Sequence, residues 1–149
     1  PPPAGLVVRR VTSPAELADY AGVLAANWHP PDPAVLDFYG RAAAVALAPD
    51  CPARHYVGYL DGEPVATSEC FLGRGVAGLY AVVTLPRTRR RGIGTAMTAA
   101  PLVDARAAGY RTATLQASAG GQGVYARLGF RPCGAFREYK PAAVPDPGR

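Results

Sequence analysis

Apolar and polar positions along the chain switch between two rhythms, and the switches outline the fold. Leu6 to Val11 reads as a first strand. Ser13-Pro14-Ala15-Glu16 then sets up a helix, with Ser13 as N-cap, Pro14 in the first turn and Glu16 three residues after the cap. The helix is expected to run to about Trp28, where His29-Pro30-Pro31 stops it, and Asp32-Pro33 starts a second helix in the same way. Leu36, Tyr39, Ala43 and Leu47 give that helix an apolar stripe. Tyr56 to Leu60 and Val65 to Leu72 are two strands joined by the turn Asp61-Gly62-Glu63-Pro64. After a second turn at Gly73-Arg74-Gly75, Val76 to Leu85 forms a long apolar strand ended by Pro86. A helix from Ile93 to Ala108 ends at Gly109 and holds Pro101, which should kink it. Arg111 to Ala117 is another strand, Gly123 to Leu128 a short helix, and Phe130 to Tyr139 a last strand or pair. The order β-α-α-β-β-β-α-β-α-β implies an α/β fold with a mixed sheet and helices on both faces. One domain over residues 6–140 is expected, between a disordered lead-in at 1–5 and a loose tail at 141–149.

Length and composition agree. A chain of 149 residues, 49% hydrophobic, fits one globular core. No apolar run approaches the ~20 residues of a membrane span, and no segment has the charged start and apolar middle of a signal peptide. The opening on Pro1 in place of Met is read as a processed or trimmed start. Cys51, Cys70 and Cys133 are scattered and odd in number, as free thiols in a reducing cytoplasm would be. Cys70 and Cys133 read as buried small apolar residues. No Cys/His cluster has zinc spacing, so no metal is expected, and His29 and His55 are the only histidines. The net charge of +5 points to an anionic partner. It gathers at Arg87, Arg89, Arg90 and Arg91, while Lys140 is the only lysine.

That cluster lies in the junction Thr84 to Thr95, TLPRTRRRGIGT, where a strand ends and a helix begins. The first amides of a helix lack internal partners and carry the positive end of its dipole. Gly92 and Gly94 would let a phosphate approach them. A dinucleotide-binding loop would want a glycine where Met97 stands and an acid about 20 residues on, and a Walker loop would want Gly-Lys-Ser/Thr. Neither is present. A solvated arginine cluster on a structural turn is the plain alternative.

Arg89-Arg90-Arg91-Gly92-Ile93-Gly94 resembles the R/Q-x-x-G-x-G/A signature of the GNAT superfamily of N-acetyltransferases, with Pro86 in a position common there. Leu115-Gln116-Ala117-Ser118, followed by Val124-Tyr125-Ala126-Arg127-Leu128-Gly129-Phe130, is similar to the superfamily's fifth strand and its Tyr-x-x-Leu-Gly-Phe end. The likeness is sharp over about residues 76–132 and topological before that. It implies a mostly antiparallel sheet and acetyl-CoA as cosubstrate. It further implies that Val82, Val83 and Thr84 pair with the pantetheine arm as an added strand would. The amides of Arg90, Arg91, Gly92, Ile93, Gly94 and Thr95, beside Arg89, should hold the pyrophosphate. Ser118 stands where many relatives have Asn, and Gly120-Gly121 replaces a more helical stretch.

The resemblance also points to Tyr125 as the acid that protonates departing coenzyme A. A thiol has a reference pKa of about 8.5 and a phenol about 10, so the phenol holds its proton at neutral pH. The competing role is a core tyrosine beside Leu128 and Phe130. An alkylammonium, with a pKa of about 10.4, must lose a proton before it attacks. Glu69 is the best carboxylate for that, ahead of Asp37 and Glu138, with a surface acid or a water chain as the alternatives. Direct attack on the thioester needs no covalent enzyme intermediate. Trp28 and His29, with Tyr80, are candidates for the acceptor wall. Asn27, Pro30 and Pro31 lie in the same junction, and Phe38 and Tyr39 read as core. The expected function is acetyl transfer to a small-molecule or peptide amine. An acyl-CoA-binding or sensing module without turnover is the alternative. Few acids lie near the site, so a polycationic acceptor such as a polyamine or aminoglycoside is not obviously favoured. Nucleic acid and membrane are not expected as partners, and a homodimer is allowed.

Overall fold

A computed structural model describes residues 2–137 and 139. The elements run β1 (Leu6–Arg10), α1 (Pro14–Ala25), α2 (Pro33–Ala46), β2 (Ala53–Leu60), β3 (Glu63–Gly73), β4 (Val76–Thr84), a short 3₁₀ turn (Pro86–Thr88), α3 (Ile93–Ala107), β5 (Thr112–Leu115) and α4 (Gln122–Arg127). Both helix starts read from Ser/Asp-Pro pairs are capped as the chemistry requires. Ser13 Oγ accepts from the Glu16 amide while Glu16 Oε2 accepts from the Thr12 amide, and Asp32 Oδ1 accepts from the Ala34 amide.

The five strands lie in the order β1-β2-β3-β4-β5. The first four are antiparallel and β5 runs parallel to β4, as the β4–α3–β5 crossover requires. Helices cover both faces. Tyr56, Ala66, Cys70, Leu79, Ile93, Met97 and Ala105 form a core under α3, while Val11, Leu17, Tyr20 and Val57 form a second under α1 and α2. Two tyrosines of β2 tie these layers to the sheet from opposite faces. Tyr56 donates to Asp104 of α3 and Tyr59 to Asp19 of α1, both at 2.8 Å. The α3 helix continues through buried Pro101. No helix among the described residues is long and apolar enough to cross a membrane.

One expected element does not form. Residues 131–137 hold no strand, so β5 has a single neighbour among the described residues. Pro132 and Gly134 fall in that stretch, and Cys133 between them is exposed where a buried residue was expected, because no strand carries it to the core. Proline gives no N–H to a ladder and glycine no side chain to pack, so both weaken a strand. Glu138, Lys140 and the segment 141–149 lie outside the described residues.

Candidate active site

The site begins with a break in the sheet. β4 pairs with β5 only over Val76 to Leu79, so Tyr80 to Thr84 keep β3 as their one partner. The cause is a bulge. Thr67 pairs with Val83 and Glu69 with Tyr80, which leaves two residues of β4 opposite one of β3. Ala81 takes φ +47° there, and its carbonyl accepts from Thr67 Oγ1 at 2.9 Å. The strand is re-aimed past the bulge, and Val82, Val83 and Thr84 turn an unpaired edge toward the gap beside the end of β5. An extended amide-bearing chain fits such an edge as an added strand. The gap is also the crevice beyond the carboxyl ends of two parallel strands, where α/β sheets hold ligands.

The loop from β4 into α3 closes one end of that gap. Arg89 Nε donates to the Thr84 carbonyl at 2.9 Å and pins the turn. Arg90 at φ +63° and Gly92 at φ +83° reverse the chain, and Gly92 is the N-cap of α3. Among the described residues no hydrogen bond engages the amides of Arg90, Arg91 and Gly92. The amides of Ile93, Gly94 and Thr95 are in the first helical turn and have no helical acceptor. The space over Gly94 is open, since an added Cβ would meet nothing nearer than Thr84 Oγ1 at 3.9 Å. Packing within the chain therefore does not demand glycine at 94, whereas a close-lying pyrophosphate would. Arg90 and Arg91 are exposed and unpaired among the described residues, so their charge is free to act there.

Tyr125 is on α4, which follows the same end of β5. Its ring lies over Gly121, where a Cβ would come within 2.9 Å of Tyr125 Cε2, and it meets Phe130 edge-on at 6.1 Å. Ser118 caps this turn from the other side, its carbonyl accepting from the Gly121 and Gln122 amides. The glycine that looked like a weak helix start thus makes room for the tyrosine. Partial burial raises the Tyr125 pKa, which keeps the phenol protonated at neutral pH.

Glu69 stands between two partners on neighbouring strands, His55 of β2 and Tyr80 of β4. His55 Nε2 lies 3.5 Å from Glu69 Oε2, a pairing that only the strand register reveals. Tyr80 is 49% exposed with its ring laid back over Gly78, and Phe71, 45% exposed, is paired with Gly78 on the same face. Phe71 is a further candidate for the acceptor wall. Trp28 and His29 are exposed in the α1–α2 connection, and no hydrogen bond or ring contact among the described residues joins them to Glu69 or Tyr80. Phe38 is exposed, against the core role expected of it, because α2 turns that side to solvent. Asp37 pairs with Arg41 at 3.3 Å on the outer side of α2. Two surface cavities of ≈ 280 and ≈ 560 Å³ lie along α1 and α2; the first reaches Leu85 and Arg87 at the start of the β4–α3 loop, and neither includes Val82 to Thr84, Arg89 to Thr95 or Tyr125. A shallow groove open to solvent is what a long flexible cosubstrate needs, so the site rests on the edge and amide geometry.

The Acetyltransferase (GNAT) family matches the chain over residues 18–130. No curated protein sequence matches it significantly. Among solved structures, AAC(6')-Iy in complex with a CoA bisubstrate analogue is similar over 93% of this chain and 99% of that one, at 20% identity and a TM-score of 0.72. An aminoglycoside acetyltransferase from an uncultured soil metagenomic sample is similar over 92% and 99%, at 21% identity and a TM-score of 0.71. At these identities the likeness is one of fold. A GCN5-related N-acetyltransferase from Kribbella flavida is 30% identical over 87% of this chain and 48% of that one, with a TM-score of 0.62, so the chain spans about half of that protein.

Proposed function

Since the chain belongs to the Acetyltransferase (GNAT) family, we propose that it transfers an acetyl group from acetyl-CoA to the amine of a small molecule. The observation that carries this reading is the meeting of the unpaired β4 edge at Val82–Thr84 with the run of free amides from Arg90 to Thr95. One supports an amide-bearing arm and the other a pyrophosphate, in the order in which coenzyme A presents them. The aminoglycoside acetyltransferases that share the fold over nearly their whole length act on small-molecule amines, which favours that class over a peptide.

In this reading Glu69 takes a proton from the acceptor ammonium. At pH 7 an amine of pKa about 10.4 holds its lone pair free at a cost of about 5 kcal/mol, which a positioned base offsets in part. The freed nitrogen attacks the thioester carbonyl, the C–S bond breaks, and Tyr125 donates its phenolic proton to the sulfur. The phenoxide is reprotonated by the proton the new amide nitrogen sheds, leaving one proton for solvent. Tyr80 and Phe71 would flank the acceptor, with Trp28 and His29 at its outer margin, and Ser118 would donate to the pantetheine arm. A panel of primary amines, assayed for thiol release and for a mass gain of one acetyl group, tests the proposal. Acetylated product with at least one amine supports it. Acetyl-CoA binding without product from any amine favours a binding module instead.

A further inference from the structure

His55 is 5% exposed, yet a polar ring so buried needs a partner. It has one in Glu69, directly opposite on β3, with 3.5 Å between Nε2 and Oε2. The rest of its surroundings is closed. Tyr20 of α1 and Tyr39 of α2 stand edge-on to the imidazole at centroid distances of 4.9 and 5.6 Å. The Tyr20 hydroxyl is fully buried without a hydrogen-bond partner, and Tyr39 and Glu69 are the polar groups that face it. Just past the end of β1 lies apolar Val11, whose amide donates to the His55 carbonyl at 2.8 Å, and from β4 Tyr80 faces Glu69. Of the two, Glu69 is the more open member, with its side chain 19% exposed against 6% for His55. Solvent therefore meets the pair on the Glu69 side.

We propose that His55 is a positioning residue for Glu69, holding its carboxylate and taking up through it the proton that the acceptor gives away. The inference rests on Glu69 being the base. The ammonium N–H bond breaks, the proton moves to Glu69, and it passes to His55 Nε2. A carboxylate and an imidazolium remain side by side, and the amine keeps its electron pair. The proton later leaves to water by way of Glu69, the more open of the two. An imidazole has a reference pKa of about 6.5 against about 4.3 for a glutamate, so the pair is a better acceptor near neutrality than the carboxylate alone.

The first test needs no acceptor. His29 and His55 are the only imidazoles, so both can be followed by NMR through a pH titration, with His29→Asn making the assignment. In Glu69→Gln the His55 midpoint should fall, because the opposite charge beside Nε2 that favours the protonated ring is lost. His29 should not move. The second test is the pH profile of kcat/KM with the best amine of the primary-amine panel. His55→Asn should lose about 10- to 100-fold near pH 7 and recover toward wild type near pH 10, where the amine is already neutral. The double variant His55→Asn with Glu69→Gln should be no slower than Glu69→Gln alone. An unmoved His55 midpoint in Glu69→Gln overturns the coupling, and so does an equal loss at every pH in His55→Asn, which is what a packing role gives. A shifted midpoint with full turnover in Glu69→Gln locates the failure in the assignment of Glu69 as base, and the proposal falls with it.

Discussion

Arg89 donates through Nε to the carbonyl of Thr84, 2.9 Å away, and so clamps the end of β4 to the turn that opens α3. The arginine cluster thereby divides. Arg89 holds the turn, while Arg90 and Arg91 keep their charge for a ligand. Arg89→Ala removes one exposed hydrogen bond, worth about 1 kcal/mol, so acetyl-CoA should bind about fivefold more weakly. Its affinity should keep the wild-type dependence on salt. Arg90→Ala and Arg91→Ala should each flatten that dependence, because they remove charges that salt screens. Calorimetry at low and high ionic strength reads both effects. A flattened slope in Arg89→Ala alone would reverse the division.

Gly94 separates stability from binding. Its helical position has room for a methyl group, so Gly94→Ala should leave the folded chain as stable as before or raise it by up to about 1 kcal/mol through helix propensity. The same methyl group would stand over the free amides and push the pyrophosphate away. Thermal melts should show an unchanged or raised Tm and a largely lost stabilisation by acetyl-CoA, which for the wild type at a hundredfold excess over Kd is about 2.7 kcal/mol. Pantetheine, which has no pyrophosphate, should stabilise both proteins equally and weakly. An undiminished acetyl-CoA effect in Gly94→Ala would remove the pyrophosphate from this loop.

The helix starts and the strand–loop–helix motif were legible because each depends on neighbours in sequence: Ser13 with Glu16, Asp32 with Ala34, Gly92 with the turn before it. What escaped depends on strand register. The tight turn pairs Leu60 with Glu63, and continued without interruption it would set His55 opposite Ser68. An irregularity between Gly58 and Tyr59 shifts the ladder by one residue and brings His55 to Glu69 instead. The bulge that frees the β4 edge falls at Ala81, a residue type that gives no hint of a positive φ. The apolar stripe of α2 was read in part. Tyr39, Ala43 and Leu47 pack against the second core, but Leu36 is exposed, because α2 packs on α1 more than on the sheet.

The capping contact at α1 makes a prediction about acid. Hydrogen bonds, chiefly from the Thr12 amide, lower the Glu16 pKa below its ordinary 4.5. A group lowered in the folded state contributes stability above its unfolded pKa, and the contribution fades as pH falls through the folded value. Glu16→Gln should therefore lower Tm at pH 7, and the gap to wild type should close as pH falls below 4.5. Paired melts across that range check this. A gap that stays constant with pH would assign the effect to side-chain packing.

Tyr125→Phe tests the central claim most directly. The substitution removes the phenolic proton and keeps the ring over Gly121 and against Phe130. With an acceptor from the amine panel, turnover should fall by about 10²- to 10⁴-fold, the usual worth of a positioned acid. Acetyl-CoA affinity and Tm should be nearly unchanged, because the donated proton matters once charge gathers on the leaving sulfur. Full turnover in Tyr125→Phe, with wild-type acetyl-CoA binding, would contradict the account and leave Tyr125 as a packing residue.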